Sequence, residues 1–485
     1  MSASQKNPPL RELQFGELDA SLEANVSPEL LRDGYVDFRS AAYAIATRNA
    51  WVLLGPKGAG KSTVLEHLRL IWQDREDRFM TYWELDAFPV NDVTCIDMGL
   101  RDGTARVRAA WEFLLLLRTF ESVARDHGRS HDREFEMVHK ALCEQGYLGA
   151  DFGTVVMELS RVSGAVDMKI FSAGSELAAN RAALPEMPTV LREALATVGL
   201  EHHHLIALDG LDSFFFEGGA GWESLSGLVD ALAATNRFFL EAGLPISIVA
   251  TLRSDHFDAL NSQNSNKLKR QIVYLDWTAG GIGAGNQLWA MVSKKASVRQ
   301  PGVQDVVKQY LSLPMDRPSF PSVAEYLLSY TRLLPRDIVA MMHYLREVHP
   351  GSTEVNEDQA KEAAARYSEE YFVGEVMNNL SGVLAGDKAH RIPAFRDALR
   401  AAPTRYFSLQ YLEEELVGEL TRPELVALLR RLFETGGVGI SNPNAASGKR
   451  YTDFVFRRVS GAAFTPRYEF LLHDALTRAW NRPWH

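Results

Sequence analysis

The sequence predicts an α/β protein: a parallel sheet carrying a helical insertion, then a helical region, then a smaller C-terminal domain. Three observations predict it. A short apolar run, Ala50–Leu54, is followed by a glycine-rich turn and then by apolar residues at helical spacing. A second run, Leu205–Leu208, ends on an aspartate. A third, Leu244–Leu252, ends on an arginine. Short apolar runs bounded by turn residues read as strands covered on both faces, the usual situation in a parallel sheet.

Composition narrows the function classes. The chain has 485 residues, which at about 150 residues per domain is the length of about three domains. Apolar residues make up 46% and charged residues 24%, as in an ordinary globular protein. A net charge of -10 argues against non-specific binding to nucleic acid, which phosphate neutralisation drives, and leaves a local basic patch open. Two cysteines, Cys95 and Cys143, make neither a disulfide framework nor a metal cage, so a reducing, cytoplasmic setting is expected. The apolar run Trp111–Leu117 is far shorter than the about 20 residues that span a bilayer. The first residues hold no apolar signal core, so neither secretion nor a membrane partner is expected.

In chain order, residues 1–14 are polar with Pro8-Pro9 and read as a flexible N-terminus. A core is expected over 15–315. Its first strand leads into Gly55-Pro56-Lys57-Gly58-Ala59-Gly60-Lys61-Ser62-Thr63, a match to G-x-x-x-x-G-K-[ST]. The glycines let backbone N–H groups converge on a phosphate at the positive end of the next helix. Lys61 adds a charge at the β- and γ-phosphates, and the Ser62 hydroxyl is a ligand for Mg²⁺. Val64, Leu65, Leu68 and Ile71 give the following segment its helical spacing. Phe79–Asp86 reads as the second strand. Residues of about 107–195 then separate it from the aspartate-ending run and read as the helical insertion. The motif makes this a P-loop NTPase core, with ATP and Mg²⁺ as ligands.

A phosphate loop needs a carboxylate on a nearby strand to hold Mg²⁺ through water. Asp209 sits at the end of Leu205–Leu208, and Asp212, three residues on, is placed to orient the attacking water. Leu205-Ile-Ala-Leu-Asp-Gly-Leu-Asp212 resembles the Walker B motif of STAND-type NTPases, including the NACHT group. Ser213 stands where that family often has Glu, which implies slow turnover and a switch rather than an engine. By the same resemblance Arg253, closing Thr251-Leu-Arg253, reads the γ-phosphate. In AAA-like ATPases a basic residue before the last core strand reaches a neighbour's nucleotide. Lys269 or Arg270 would do so here in a homo-oligomer.

Arg332-Leu-Leu-Pro-Arg336-Asp337 resembles the start of the lid helix in AAA-like and origin-recognition ATPases. The resemblance implies a helical lid over 316–375, with Arg336 near the phosphates. Pro335 suits a first helical turn. Residues 376–485, helices followed by short strands around a loop, resemble a winged helix. Its last part, 441–485, holds seven Lys or Arg and three Asp or Glu. That patch fits nucleic-acid phosphate, while winged helices in STAND proteins often contact protein, such as an effector partner. The resemblance extends to prokaryotic stand-alone ATPases that accompany anti-phage systems. His202-His203-His204 has no second ligand cluster at useful spacing and reads as the polar start of a strand.

Overall fold

The computed structural model describes residues 7–86, 88–100, 103–149, 151–161, 167–169, 181–211, 219–260, 268–316, 320–443, 450–457 and 463–484. They form two compact units. The first holds residues 37–57 and 61–275; the second holds the described residues up to Val36, the three residues Gly58–Gly60, and those from Asp276 on.

The first unit carries strands β1 (Val52–Leu54), β2 (Arg78–Glu84), β3 (Asp167–Lys169), β4 (Arg181–Ala183), β5 (His203–Asp209), β6 (Ile246–Leu252) and β7 (Ile272–Tyr274). β3 and β4 pair with each other as an antiparallel hairpin. The other five form one parallel sheet in the order β2-β5-β6-β1-β7. Every residue of β6 is buried, as are Leu205 to Asp209 of β5, which is why these runs lack polar alternation. The edge strand β2 does alternate: Thr81 and Trp83 are buried, while Tyr82 is less so and Glu84 is exposed.

Helix Gly103–Ala124 explains the run of large apolar residues that begins at Trp111. Trp111 and Phe113–Leu117 are all fully buried, so the helix is covered on every side. It packs on helix Gly219–Glu241 at close range. A Cβ on Gly227 would lie 2.6 Å from Val107 Cγ1, so glycine permits the approach. Trp111 Nε1 donates to Ser224 Oγ at 3.0 Å, and that hydroxyl donates to Val90 O at 2.9 Å, which satisfies the polar atoms inside the contact.

Asn236 performs a similar task for the sheet. Its Nδ2 donates to Ile248 O at 2.9 Å and its Oδ1 accepts from Ile248 N at 2.8 Å. β1 begins its pairing with β6 only at Val52↔Ala250, so this side chain completes the ladder before that point. Asn236→Leu leaves a buried N–H and C=O unpaired, at about 1–3 kcal/mol for each group. We expect a lower urea midpoint at unchanged slope; a midpoint equal to wild type would refute it.

In the second unit, residues 7–14 are not the loose tail that Pro8-Pro9 suggests. Leu10, Leu13 and Phe15 are fully buried. Leu10 N–H and Arg11 N–H donate to Ser352 O and Pro350 O at 2.9 Å, and Tyr310 OH donates to Pro8 O at 2.7 Å. Arg346 donates to Leu13 O at 3.1 Å, so the segment lies along helix Pro335–Val348. Buried apolar side chains and paired backbone groups hold it there. Glu23 and Lys295 form a buried ion pair beside Gly16, whose φ of +95° and crowded Cβ position call for glycine.

Helices Val323–Ser329, Pro335–Val348 and Glu357–Arg366 follow, the last continuing through a π turn, Tyr367–Phe372, into Val373–Asn378. Beyond them β8 (Tyr406–Phe407), β9 (Val438–Pro443), β10 (Arg450–Asp453) and β11 (Glu469–Leu472) form an antiparallel sheet in the order β10-β9-β11-β8. Helices Ile392–Ala401, Leu409–Glu415 and Arg422–Glu434 belong to the same region. A capping box of Thr421 and Glu424 starts the last of these, with Pro423 in its first turn. Among the described residues no helix is long and apolar enough to cross a membrane.

Candidate functional site

The glycine-rich loop runs from the end of β1 to helix Lys61–Trp72. Gly58 and Gly60 have φ of +87° and +92°. Side chains rarely adopt that region, so both glycines are needed for the chain to turn there. Two backbone bonds tie the base of the loop to the end of β6: Gly55 N–H donates to Leu252 O at 3.3 Å, and Ser254 N–H to Gly55 O at 3.4 Å. Lys61 is only 6% exposed, and its Nζ donates to Gly55 O (3.2 Å) and Pro56 O (3.3 Å). The charge is thereby held at the base of the loop. Ser62 and Thr63 stand half-buried at the first turn of the helix.

Asp209 ends β5 at the carboxyl edge of the sheet, where open α/β sheets bind ligands. Strand order sets one strand, β6, between it and the loop. Both carboxylate oxygens are engaged. Thr251, from β6, donates its hydroxyl to Oδ1, and Tyr82, from β2, donates its hydroxyl to Oδ2 at 2.6 Å. Burial, and then the carboxylate beside it, hold the Tyr82 phenol well above its ordinary pKa, so it stays protonated and donating.

Sequence reading gave no role to Thr251 or Tyr82. Thr251 stands two residues before Arg253, and Tyr82 lies in the segment read as a strand, but local pattern marks no partner for either. Arg253 forms a bidentate pair with Asp255, at 3.0 and 2.7 Å. Asp212 lies outside the described residues, as does Ser213. Lys269 and Arg270 are exposed on the short turn before β7, the outer strand of the sheet.

Within the second unit, Arg336 N–H donates to Gly58 O at 3.3 Å, and a Cβ on Gly58 would come within 3.2 Å of Arg336 Cβ. Trp277 Nε1 donates to Ala59 O at 3.0 Å. The Arg336 side chain donates to Leu18 O at 3.1 Å and lies 3.9 Å from Glu375. Arg332 is the buried member of that motif. It makes a bidentate pair with Asp337 at 2.8 and 2.6 Å, and its backbone N–H donates to the same carboxylate at 2.9 Å.

The histidine tract lies at the opposite end of β5. Asp126, fully buried, bonds His202 Nδ1 at 2.8 Å and His204 Nε2 at 3.2 Å. Ser122 Oγ meets His204 Nδ1 at 3.0 Å, and the Phe79 ring stacks on His204. Among the described residues no group of three or more His, Cys, Asp or Glu is placed to hold a metal ion.

Burial lowers His204 from 6.5 to about 4, outweighing the pull of Asp126 in the other direction. An unfolded chain protonates this ring near 6.5, the folded one only near 4. Between those values the unfolded state holds the extra proton, so stability is complete above pH 6.5 and falls as the solution is acidified. The slope is at most about 1.4 kcal/mol per pH unit. His139, His203 and His343 are also lowered by burial and add to the slope, so thermal melts from pH 7.5 to 4.5 should be less steep for His204→Gln than for wild type; identical slopes in both proteins would overturn the assignment.

Compared with known families and with curated proteins, the chain finds no match in either. Among solved structures it matches Cdc6p from Pyrobaculum aerophilum at 12% identity, with a TM-score of 0.34, over 94% of this chain and 98% of that one.

Proposed function

We propose that this chain is an ATPase that binds ATP with Mg²⁺ at Gly55–Thr63, turns it over slowly, and acts as a nucleotide-driven switch or assembly factor. One observation carries the reading. A turn with two left-handed glycines joins a buried strand to a helix, and a buried carboxylate closes the carboxyl end of the next strand but one. The donor set suits the ligands. Backbone N–H groups and Lys61 suit phosphate, and the oxygens of Ser62 and Asp209 suit a hard cation such as Mg²⁺. Bound Mg²⁺ would neutralise charge on the phosphate oxygens.

Each residue then has a task. Lys61 faces the β- and γ-phosphates. Asp209 would help hold Mg²⁺ through water, and Thr251 holds its orientation. Asp212 orients the attacking water, and Arg253 exchanges its Asp255 partner for the γ-phosphate. Arg336, whose backbone meets Gly58, links the phosphate state to the lid helix, and loss of the γ-phosphate releases it.

The C-terminal domain supports contact with an effector protein or a second copy. A winged helix that grips DNA under ATP control is the alternative. On helix Arg422–Glu434, Arg422 pairs with Glu413, Arg431 with Glu434, and Glu424 with Lys388. Such pairing weakens a phosphate-reading face, so we favour the protein partner. Lys449 and Arg458 of the basic stretch lie outside the described residues.

The test is thermal denaturation with Mg-ATP, Mg-ADP and Mg-GTP, alongside phosphate release. A nucleotide at 100 times its Kd adds about 2.7 kcal/mol of stability. We expect ATP and ADP to raise Tm and phosphate to appear slowly. No shift with any nucleotide at millimolar concentration would refute the reading.

A further inference from the structure

We infer that Tyr82 is a positioning residue for the Mg²⁺ site, fixing the Asp209 carboxylate through its hydroxyl without neutralising it. The inference rests on the ATP–Mg²⁺ reading above and adds a residue that no motif contains.

Asp209 lies between two neighbouring strands, and each supplies one hydroxyl to one oxygen: Tyr82 from β2 to Oδ2, Thr251 from β6 to Oδ1. The register pairs Tyr82 with Ala207, two residues before Asp209, so Tyr82 and Asp209 project on the same face of the sheet. With one donor on each oxygen, the carboxylate can neither rotate nor swing freely. Each oxygen keeps a further lone pair for a metal-bound water.

The type of donor matters as much as its place. An Arg or Lys on Asp209 would orient it equally well and cancel the charge that attracts Mg²⁺. Two neutral hydroxyls orient it and leave the charge intact. An oriented, uncancelled carboxylate is what a metal site needs from its outer partners.

The experiment compares wild type with Tyr82→Phe, which removes only the hydroxyl. Affinity for a fluorescent ATP analogue is measured in EDTA and across a Mg²⁺ titration. We expect unchanged affinity in EDTA and a Mg²⁺ half-saturation raised about 10-fold. A Mg²⁺ curve coinciding with wild type would overturn the inference. So would an equal loss of affinity with and without Mg²⁺, which marks a general packing role. If wild type binds no analogue at all, the ATP reading fails and this inference with it; Mg²⁺-dependent binding in wild type isolates Tyr82. Should Tyr82→Phe fail to fold, Thr251→Val tests the other half of the clamp. The same rightward Mg²⁺ shift supports the inference and its absence overturns it.

Discussion

Lys61→Ala is expected to abolish ATP binding. The side chain is buried, its Nζ 3.2 and 3.3 Å from the carbonyls of Gly55 and Pro56. Those carbonyls hold the ammonium at the base of the loop, the place the proposed function gives to phosphate. A hydrogen bond to a charged group contributes about 1.5–3 kcal/mol, and one cation facing two phosphates makes more than one such bond. The expected loss is therefore at least about 100-fold in Kd. Lys61→Arg should not restore it, because a planar fork cannot replace a compact ammonium in a tight turn. Titration calorimetry with Mg-ATP decides the matter; wild-type affinity in Lys61→Ala would mean that the loop does not hold the phosphates.

Asp337→Ala severely destabilises the second unit. Asp337 is fully buried and makes three bonds to Arg332, two to the guanidinium and one to its backbone N–H. Burial opposes the Arg332 charge, but Asp337 outweighs it and keeps the guanidinium ionised. Removing the carboxylate leaves a charge in the interior with no equal partner. The cost of breaking a buried pair in this way is about 3–5 kcal/mol, a large part of the about 5–15 kcal/mol that holds a folded protein together. Replacing both residues with leucine should recover much of the loss, since the uncompensated charge goes too. Urea denaturation of the two variants tests this; a single mutant within about 1 kcal/mol of wild type, the size of an ordinary hydrogen bond, would show the pair to be dispensable.

The same pair shows how a motif read from sequence divides into parts. Arg332 and Arg336 look alike in Arg332-Leu-Leu-Pro-Arg336-Asp337. In the folded chain Arg332 is 4% exposed and bound to Asp337. Arg336 is half-buried, with its backbone on Gly58. Leu333 between them takes a left-handed φ of +56° while fully buried. Such strain persists only where the surroundings over-determine it, and the bidentate pair and the Pro335 helix start supply that constraint.

The strand–loop–helix unit was legible from the order of residues alone. Its signals are local: an apolar run, glycines at a turn, then a helical repeat, all within about two dozen residues. Burial along β5 and β6 was legible for the same reason, because a strand covered on both faces shows as an unbroken apolar run. The partners of Asp209 were not. Tyr82 is 127 positions away and Thr251 42, and they meet it only because β2 and β6 flank β5. The burial of residues 7–14, the backbone pairing by Asn236 and the shared Asp126 of two histidines arise in the same way. Periodicity records which face of an element avoids water; it does not record which element lies alongside. Thus the chain's own order determined the glycine-rich turn between strand and helix, whereas tertiary packing decided which neutral hydroxyls orient Asp209, because strand order sets that contact.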